Sequence, residues 1–227
     1  MSKLLSALLI AASLLAVNAN AHVVRQGWGN DGLVGSDLTD PENDGNPEIN
    51  IRYNAAFRSS HEEGFGGNEY AFNVFDNQVG GGNNKWCCDA NVWVEANFGE
   101  RRFTLTSFTA SSANDAAERD SIAWQILGSN NGVDYTTIFS YNASQPIWTD
   151  RYQTIQFFAG EDFATPAAYS IFRYQSTAVY WGSMHQLAEL EFFGTEAVPA
   201  DVPEPGSLML LGLGALGLAA YRRRKRA

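Results

Sequence analysis

The residue types in this sequence that could do chemistry are mostly carboxylates. Histidines number only three, at His22, His61 and His185, and neither a Gly-x-Ser-x-Gly nucleophile motif nor a His-Glu-x-x-His metal motif occurs. These absences predict a chain that is not an enzyme. The many carboxylates leave a paired-acid hydrolase as a remote alternative.

Two cysteines, Cys87 and Cys88, are adjacent and are the only ones in the chain. Their Cα atoms must lie about 3.8 Å apart, below the usual disulfide range, so a bridge between them would be strained. An oxidising exported setting favours such a vicinal disulfide, and free thiols or intermolecular pairing are the alternatives. Two thiols alone make a poor zinc site, which requires four ligands.

An acidic turn spans residues 40–45, with Asp40, Glu42 and Asp44 at alternate positions before Gly45. This spacing is that of a calcium-binding loop, but its twelfth position is Ile51 where a glutamate is required. The pattern favours a solvated acidic turn, with calcium binding as the alternative.

The elements that must position these groups are short strands. Between residues 91 and 98, Val92, Val94 and Ala96 alternate with Trp93 and Glu95, as in a half-buried strand. Further apolar runs separated by Gly- and Asn-rich turns predict strands at 102–108, 122–127, 135–139, 154–158, 169–174 and 187–193. The chain is therefore expected to be all-β, an antiparallel β-sandwich built by residues 48–194, after an irregular segment at 22–47.

Both ends carry export signals. Residues 1–21 combine Lys3, an apolar stretch and a small-residue cleavage site, which is typical of a secretory signal peptide. Lys3 and residues 222–226 hold six of the 15 basic residues, so the rest carries 9 bases against 25 acids, a net charge of −16. Such a surface should repel nucleic acid.

The C-terminal end begins with a Pro-containing linker at 195–201. Val202-Pro203-Glu204-Pro205 follows, then a Gly- and Leu-rich stretch at 208–221 and a basic tail at 222–226. The apolar stretch is shorter than the roughly 20 residues that cross a bilayer comfortably, which predicts a transient stop in the inner membrane.

Residues 202–227 resemble the bacterial PEP-C-terminal sorting tag in motif, length and ending. The resemblance implies a Gram-negative envelope, recognition by an exosortase, and removal of the tail near the Pro-Glu-Pro motif. It also implies an association with extracellular polysaccharide. An uncleaved single-span anchor is the alternative reading of the tail.

The stretch from Phe72 to Gly194 resembles the discoidin, or coagulation-factor type C, family of galactose-binding-like jelly rolls. Its clearest match is residues 124–132, Trp-Gln-Ile-Leu-Gly-Ser-Asn-Asn-Gly, and others lie at residues 71–77, 92–99, 169–174 and 186–194. The chain departs from the family pattern at Asn77, which replaces a glycine, and at Asn131, which replaces an aspartate. Asparagine tolerates the left-handed backbone that these turns need.

The discoidin resemblance implies a structural calcium ion. Its candidate ligands are Asp76, Glu189 and carbonyl oxygens around Asn83 and Asn84. Alternatively, Asp76 only caps its turn and Glu189 pairs with an arginine.

Candidate ligand-binding residues lie in loops. The loop at 111–120 offers Asn114, Asp115, Arg119 and Asp120 for hydrogen bonds to sugar hydroxyls, or an internal Arg119–Asp120 salt bridge. An aromatic platform for a sugar face is expected from Trp148 or Trp181, near Tyr180 and His185, whereas Trp86 and Trp124 are expected in the core.

The sequence thus predicts an exported, exosortase-processed binding protein that recognises carbohydrate in the extracellular polysaccharide or biofilm matrix. A structural cell-surface or matrix protein, whose sandwich assembles with other proteins, is the alternative.

Overall fold

The computed structural model describes residues 22–27, 29, 37–39, 53–62 and 67–198. The signal peptide at 1–21, the acidic turn at 40–45, the tag at 202–227 and its membrane stretch at 208–221 fall outside these residues. Within the described ranges, no helix has the length and apolarity needed to cross a bilayer. The chain divides into two units after Glu196, and every strand among the described residues belongs to the first unit.

Eleven strands make up almost all regular structure in the described residues: β1 (His22–Gln26), β2 (Ala56–Ser59), β3 (Trp86–Asp89), β4 (Val92–Asn97), β5 (Phe103–Ser111), β6 (Ser121–Ser129), β7 (Thr136–Asn142), β8 (Gln153–Phe158), β9 (Ile171–Val179), β10 (Met184–Leu187) and β11 (Glu189–Glu196). Two short 3₁₀ helices, Ala71–Phe75 and Ala117–Arg119, interrupt them. The strands form a four-stranded sheet ordered β1-β8-β5-β11, a five-stranded sheet ordered β2-β4-β9-β6-β7, and the β10-β3 pair. Every strand pair is antiparallel, which confirms the predicted all-β sandwich.

Aromatic side chains from the two larger sheets meet in the core. On the four-stranded sheet, Phe108 and Phe157 stack with ring centroids 4.7 Å apart. Trp124 of the five-stranded sheet packs edge-on against both rings, at 6.2 and 5.7 Å. Trp86 and Trp124 are fully buried, as expected from the sequence.

The described residues bear on two predictions about local structure. Of the segment at 22–47, predicted to be irregular, His22–Gln26 forms an edge strand that pairs with β8 through a register shift. The predicted vicinal disulfide is not formed: Cys87 and Cys88 are free thiols in a regular strand, opposite Gln186 and His185. Successive side chains of a strand point to opposite faces, so the two thiols diverge and stay free.

The loops gather at the two ends of the sandwich. We call end A the loops at 76–85, 112–120, 143–152 and 180–183, which are tied together by hydrogen bonds such as Trp181 N–H to the Glu118 carbonyl, 2.7 Å. End B comprises the loops at 98–102, 130–135 and 159–170, joined by Phe98 N–H to the Ser170 carbonyl, 2.8 Å. Strand β9 runs from end B at Ile171 to end A at Val179.

Candidate functional site

Buried polar groups hold the 112–120 loop of end A in place. Lys85 is buried, and its Nζ lies 2.6 Å from Asp115 Oδ1 and 3.3 Å from Gln186 Oε1. The Gln186 amide donates to the carbonyl oxygens of Asp115 and Ala116, at 2.5 and 3.0 Å. Ala116 has a left-handed backbone with φ 43°, an unfavourable conformation that these bonds fix. The loop is therefore preorganised.

The salt bridge predicted inside this loop is formed with a different partner. Asp120 is buried and takes a two-pronged ion pair from Arg151 of the 143–152 loop, with Nη1 2.9 Å from Oδ1. Arg119 instead points a guanidinium nitrogen at Cys87 Sγ, 3.7 Å away. Since Arg151 occupies Asp120, that carboxylate is a structural group and not a free sugar ligand.

Trp181 is the aromatic side chain that end A presents to solvent. Its side chain is 77% exposed, and neighbouring Tyr180 is 42% exposed. The backbone beneath them is fixed, because Tyr180 N–H donates to the Asp120 carbonyl and Trp181 N–H to the Glu118 carbonyl, at 2.9 and 2.7 Å. The loop thus displays a flat apolar ring beside the exposed polar groups of residues 114–119.

Two other predicted ligand residues belong to the core. Trp148 is 4% exposed, stacks on Trp124 at 6.1 Å and donates its indole N–H to the Ala110 carbonyl. His185 is fully buried against Trp86, and its Nε2 lies 3.1 Å from the Tyr174 hydroxyl. Burial lowers the pKa of His185 to about 3, so the imidazole stays neutral. Neither side chain can reach a ligand at end A.

Two carboxylates meet beneath the 76–85 loop. The Gln78 backbone N–H donates to both Asp76 Oδ1 and Glu189 Oε2, at 3.0 and 3.2 Å, so the two acids lie side by side. Glu189 is fully buried and its Oε1 has no hydrogen-bond partner. Burial raises the pKa of Asp76 to about 7, and burial together with the Asp76 charge holds the pKa of Glu189 well above its usual range. A cation between these groups would favour ionisation of both.

The pair fits a calcium site in its acids but only partly in the other predicted ligands. Asn84 lies at the pair, yet it turns its amide nitrogen to Asp76 Oδ2, 3.2 Å, while its Oδ1 accepts from Gly80 N–H. The Asn83 carbonyl already accepts two hydrogen bonds, from Asn73 Nδ2 and Lys85 N–H. In the part of the chain that the structure describes, no group of three His, Cys, Asp or Glu residues is arranged for a metal ion.

The two asparagines that differ from the discoidin-like pattern still form the turns in which they lie. Asn77 takes φ 59°, the left-handed conformation expected of the glycine it replaces. Asn131 Oδ1 accepts from the N–H groups of Val133 and Asp134, both at 2.9 Å, and thereby closes the turn between β6 and β7.

Sequence reasoning missed the residues that build end A from below, namely Lys85, Arg151 and Gln186. Each lies 30 or more residues from the loop residue it holds. No local pattern signals such contacts. The one available hint is that Lys85 directly precedes Trp86, a core tryptophan and the first residue of the short strand β3.

A family of known proteins matches the C-terminal end of the chain. Residues 201–225 match the PEP-CTERM protein-sorting motif. This match confirms the sorting tag predicted at 202–227. No curated protein sequence matches the chain.

The sandwich is similar to several solved carbohydrate-binding modules (CBMs). CpGH89CBM32-5 from Clostridium perfringens, solved with GalNAc-β-1,3-galactose, is 17% identical, with 62% of this chain and 96% of that chain covered and a TM-score of 0.49. CBM62 from Clostridium thermocellum Xyl5A is 21% identical, with 63% and 96% covered and a TM-score of 0.49. The family 32 CBM of C. perfringens NanJ, solved with galactose, is 16% identical, with 61% and 93% covered and a TM-score of 0.47.

Proposed function

We propose that the chain is an exported binding protein whose end A recognises a neutral glycan of the extracellular polysaccharide. The observation that carries this proposal is Trp181, a large apolar ring left 77% exposed on a backbone that two hydrogen bonds hold in place. A sugar stacks its C–H face on such a ring while nearby polar groups bind its hydroxyls. Asn114, Asp115 and Arg119 would supply those polar groups from the 112–120 loop, to which the Trp181 backbone is bonded; Asp115, although paired with Lys85, keeps a 53% exposed side chain.

The charges at end A favour an uncharged sugar. Lys85 and Arg151 form ion pairs with Asp115 and Asp120, and the third cation of the end-A loops, Arg119, is outnumbered by the acids of these loops. Glu118 is exposed at the same loop, and the chain outside its two end segments has a net charge of −16. An acidic sugar would meet net repulsion there, whereas neutral hydroxyls would not.

We further propose that Asp76 and Glu189 hold a structural calcium ion under the 76–85 loop. Calcium would supply the positive charge that lets both buried carboxylates ionise, and its remaining coordination positions need further oxygen ligands. The two carboxylates would then fix the 76–85 loop, and through Lys85 the adjacent 112–120 loop. This places the ion in a supporting role, away from Trp181.

The sorting tag indicates where the protein is sent. We infer that an exosortase processes the chain near Pro203-Glu204-Pro205 after the short apolar stretch pauses in the inner membrane. The sandwich would then be delivered to the cell surface or the surrounding matrix. Intact masses of the protein from membranes and from medium would show whether both end segments are removed.

The binding proposal is tested by affinity gel electrophoresis on soluble neutral polysaccharides and on the exopolysaccharide of the producing cells. We expect Trp181→Ala to abolish retardation and Trp181→Phe to keep most of it, because phenylalanine preserves an apolar face. The melting temperature of both variants should match that of the parent protein, since the ring makes no core contact.

Two results would reject the proposal. One is uniform non-binding of the parent protein with calcium and without it. The other is binding that Trp181→Ala leaves unchanged. Self-association that persists after polysaccharide removal would instead favour the matrix-assembly alternative.

A further inference from the structure

A second cleft lies at end B, at the opposite end of strand β9 from Trp181. Its volume is about 480 Å³, within the range of roughly 300–1,000 Å³ typical of ligand pockets. Arg58, Asn97 and Ser170 line one part of it, and Val133 and Ile171 supply an apolar part. This combination of donors and a small apolar surface is that of a ligand site.

Two side chains in this cleft have N–H groups that can donate to a ligand. Asn97 uses its Oδ1 to accept from Gly99 N–H, 2.9 Å, which leaves its amide N–H groups for a ligand. Arg58 uses its Nε for Glu95, and its side chain is 56% exposed. The cleft therefore presents N–H groups from an amide and a guanidinium.

The charge beneath the cleft is positive. Glu95 is fully buried and receives both Arg58 and Arg173, with Arg173 Nη2 2.7 Å from Glu95 Oε2. Two guanidinium groups share a single carboxylate, so this cluster has a net charge of +1. Arg173 is held between the rings of Trp93 and Tyr135, 3.9 Å from each centroid, which leaves Arg58 as the more exposed member.

The space above Arg58 depends on a glycine. A Cβ atom at Gly132 would lie 3.3 Å from Arg58 Nη2 and 3.6 Å from Ile171 Cδ1, so a side chain there would fill the cleft. Gly132 also has φ 69°, which side chains adopt rarely. The neighbouring acid, Asp134, is held by Asn131 Nδ2 at 2.9 Å.

We propose that this end-B cleft is a second glycan site, and that it binds an acidic sugar through Arg58 and Asn97. A carboxylate of the sugar pairs with the guanidinium, and the Asn97 amide donates to a neighbouring oxygen. The ring lies against Val133 and Ile171. The inference rests on the proposed glycan-binding function but uses none of its residues.

The two sites are far enough apart to hold two polysaccharide chains. Ile171 and Trp181 are ten positions apart, and the first nine residues of this stretch, Ile171–Val179, form β9. At about 3.3 Å per residue the separation is about 30 Å. One sandwich could therefore join a neutral chain to an acidic chain.

Galacturonate and galactose provide matched probes, because they differ only at C6. Each is titrated into the ¹⁵N-labelled exported protein, and the amide signals of Gly132 and Val133 are followed beside those of Trp181. We expect galacturonate to shift the end-B signals and galactose not to, with an affinity that falls as salt is added.

Asn97→Asp is the decisive variant. It keeps the acceptor for Gly99 N–H, removes the amide donor and adds a repelling charge, so galacturonate affinity should fall at least tenfold. Thr136→Glu, exposed on the same hairpin but outside the cleft, is the matched charge control and should change affinity less than twofold.

The inference is overturned if galacturonate leaves the Gly132 and Val133 signals in place, or if Asn97→Asp binds it as well as the parent. Trp181→Ala separates the two proposals. If this variant loses neutral-glycan binding but keeps the galacturonate response, both sites stand. If the parent protein binds no neutral glycan at end A but still binds galacturonate at end B, only the proposed function of end A is rejected.

Discussion

In the absence of calcium, the stability of this protein should fall as the pH rises above neutrality. Burial raises the pKa of Asp76 from 3.8 to about 7 and that of Glu191 from 4.5 to about 8, and the pKa of Glu189 is also well above its usual range. The folded protein therefore holds protons that the unfolded chain has already released. Stability contributed by those protons is fully present below the unfolded pKa and is lost as the pH rises through the folded pKa, so the fall that begins in acid continues up to about pH 8.

The buried His185 has the opposite effect on stability, and it sets the lower limit of the pH range in which the carboxylates can be tested. The pKa of His185 falls from 6.5 to about 3, so protonation of the unfolded chain opposes folding only below about pH 6.5. Above that value His185 is neutral in both states. The carboxylates then dominate the pH dependence.

The expected size of the effect is set by the shifts. Between about pH 6.5 and about pH 8, Asp76 should lower the free energy of unfolding by about 1 kcal/mol and Glu191 by about 1–2 kcal/mol. Glu189 acts in the same direction. The assay is urea unfolding in EDTA at several pH values in this window, with the midpoint followed by tryptophan fluorescence.

Calcium should reverse part of this slope. The ion and the protons compete for Asp76 and Glu189, so added calcium should stabilise the protein more strongly at higher pH. Asp76→Asn is the matched variant: it keeps an acceptor for Gln78 N–H, removes the Asp76 share of the slope in EDTA while the Glu191 share remains, and removes most of the calcium response. A parent protein whose stability in EDTA is flat or rises across this window would refute the assignment of these buried acids, and a calcium effect that survives in Asp76→Asn would refute the site.

Three further predictions concern end A and the core. Trp148→Ala should lower the free energy of unfolding by about 3–5 kcal/mol, measured by urea unfolding, because the ring fills core volume against Trp124. Arg151→Ala should cost about 3 kcal/mol by leaving Asp120 buried without its partner, and adding Asp120→Asn should restore part of that loss in the same assay. Cys87 and its neighbouring thiol should resist alkylation in the native protein and both react after unfolding without reductant, as read by intact mass; a mass two hydrogens lighter would contradict the strand geometry.

The alternation of apolar residues was sufficient to predict most strands but not what covers their outer faces. The pattern at 91–98 correctly placed Val92, Val94 and Ala96 on the core side. It also placed Glu95 on the other face, where a charged side chain is normally solvated. Glu95 is instead fully buried, because Arg58, Tyr135 and Arg173 come from three other parts of the chain to cover it.

The short strands β3 and β10 show the same limit at the candidate site. The sequence of residues 86–89 predicts a disulfide between the adjacent cysteines and no strand, because the apolar residues do not alternate there. Their strand character comes from pairing with residues 184–187, about a hundred positions away. That pairing also buries His185 and so removes it from the predicted ligand set.

The prediction for Trp148 and Trp181 could not have separated the two residues, since both lie in loops of the same end. What distinguishes them is the direction of the indole. Trp148 finds a hydrogen-bond acceptor at Ala110 and a ring at Trp124, whereas the 180–183 loop anchors its backbone and leaves the Trp181 ring outside. Only the packed structure supplies that direction.

The distribution of ion pairs gives the two ends of the sandwich different ligand preferences. At end A, Lys85 and Arg151 are paired with loop acids, so the surface offers an aromatic ring, acids and a single cation without an ion pair among the described residues, Arg119. At end B, two arginines share Glu95, so a positive charge remains at the rim of a cleft. Stacking is insensitive to salt and guanidinium–carboxylate pairing is screened by it. If both proposals hold, raising the ionic strength should release an acidic glycan while a neutral one stays bound, and a single protein would show one salt-sensitive and one salt-insensitive binding mode.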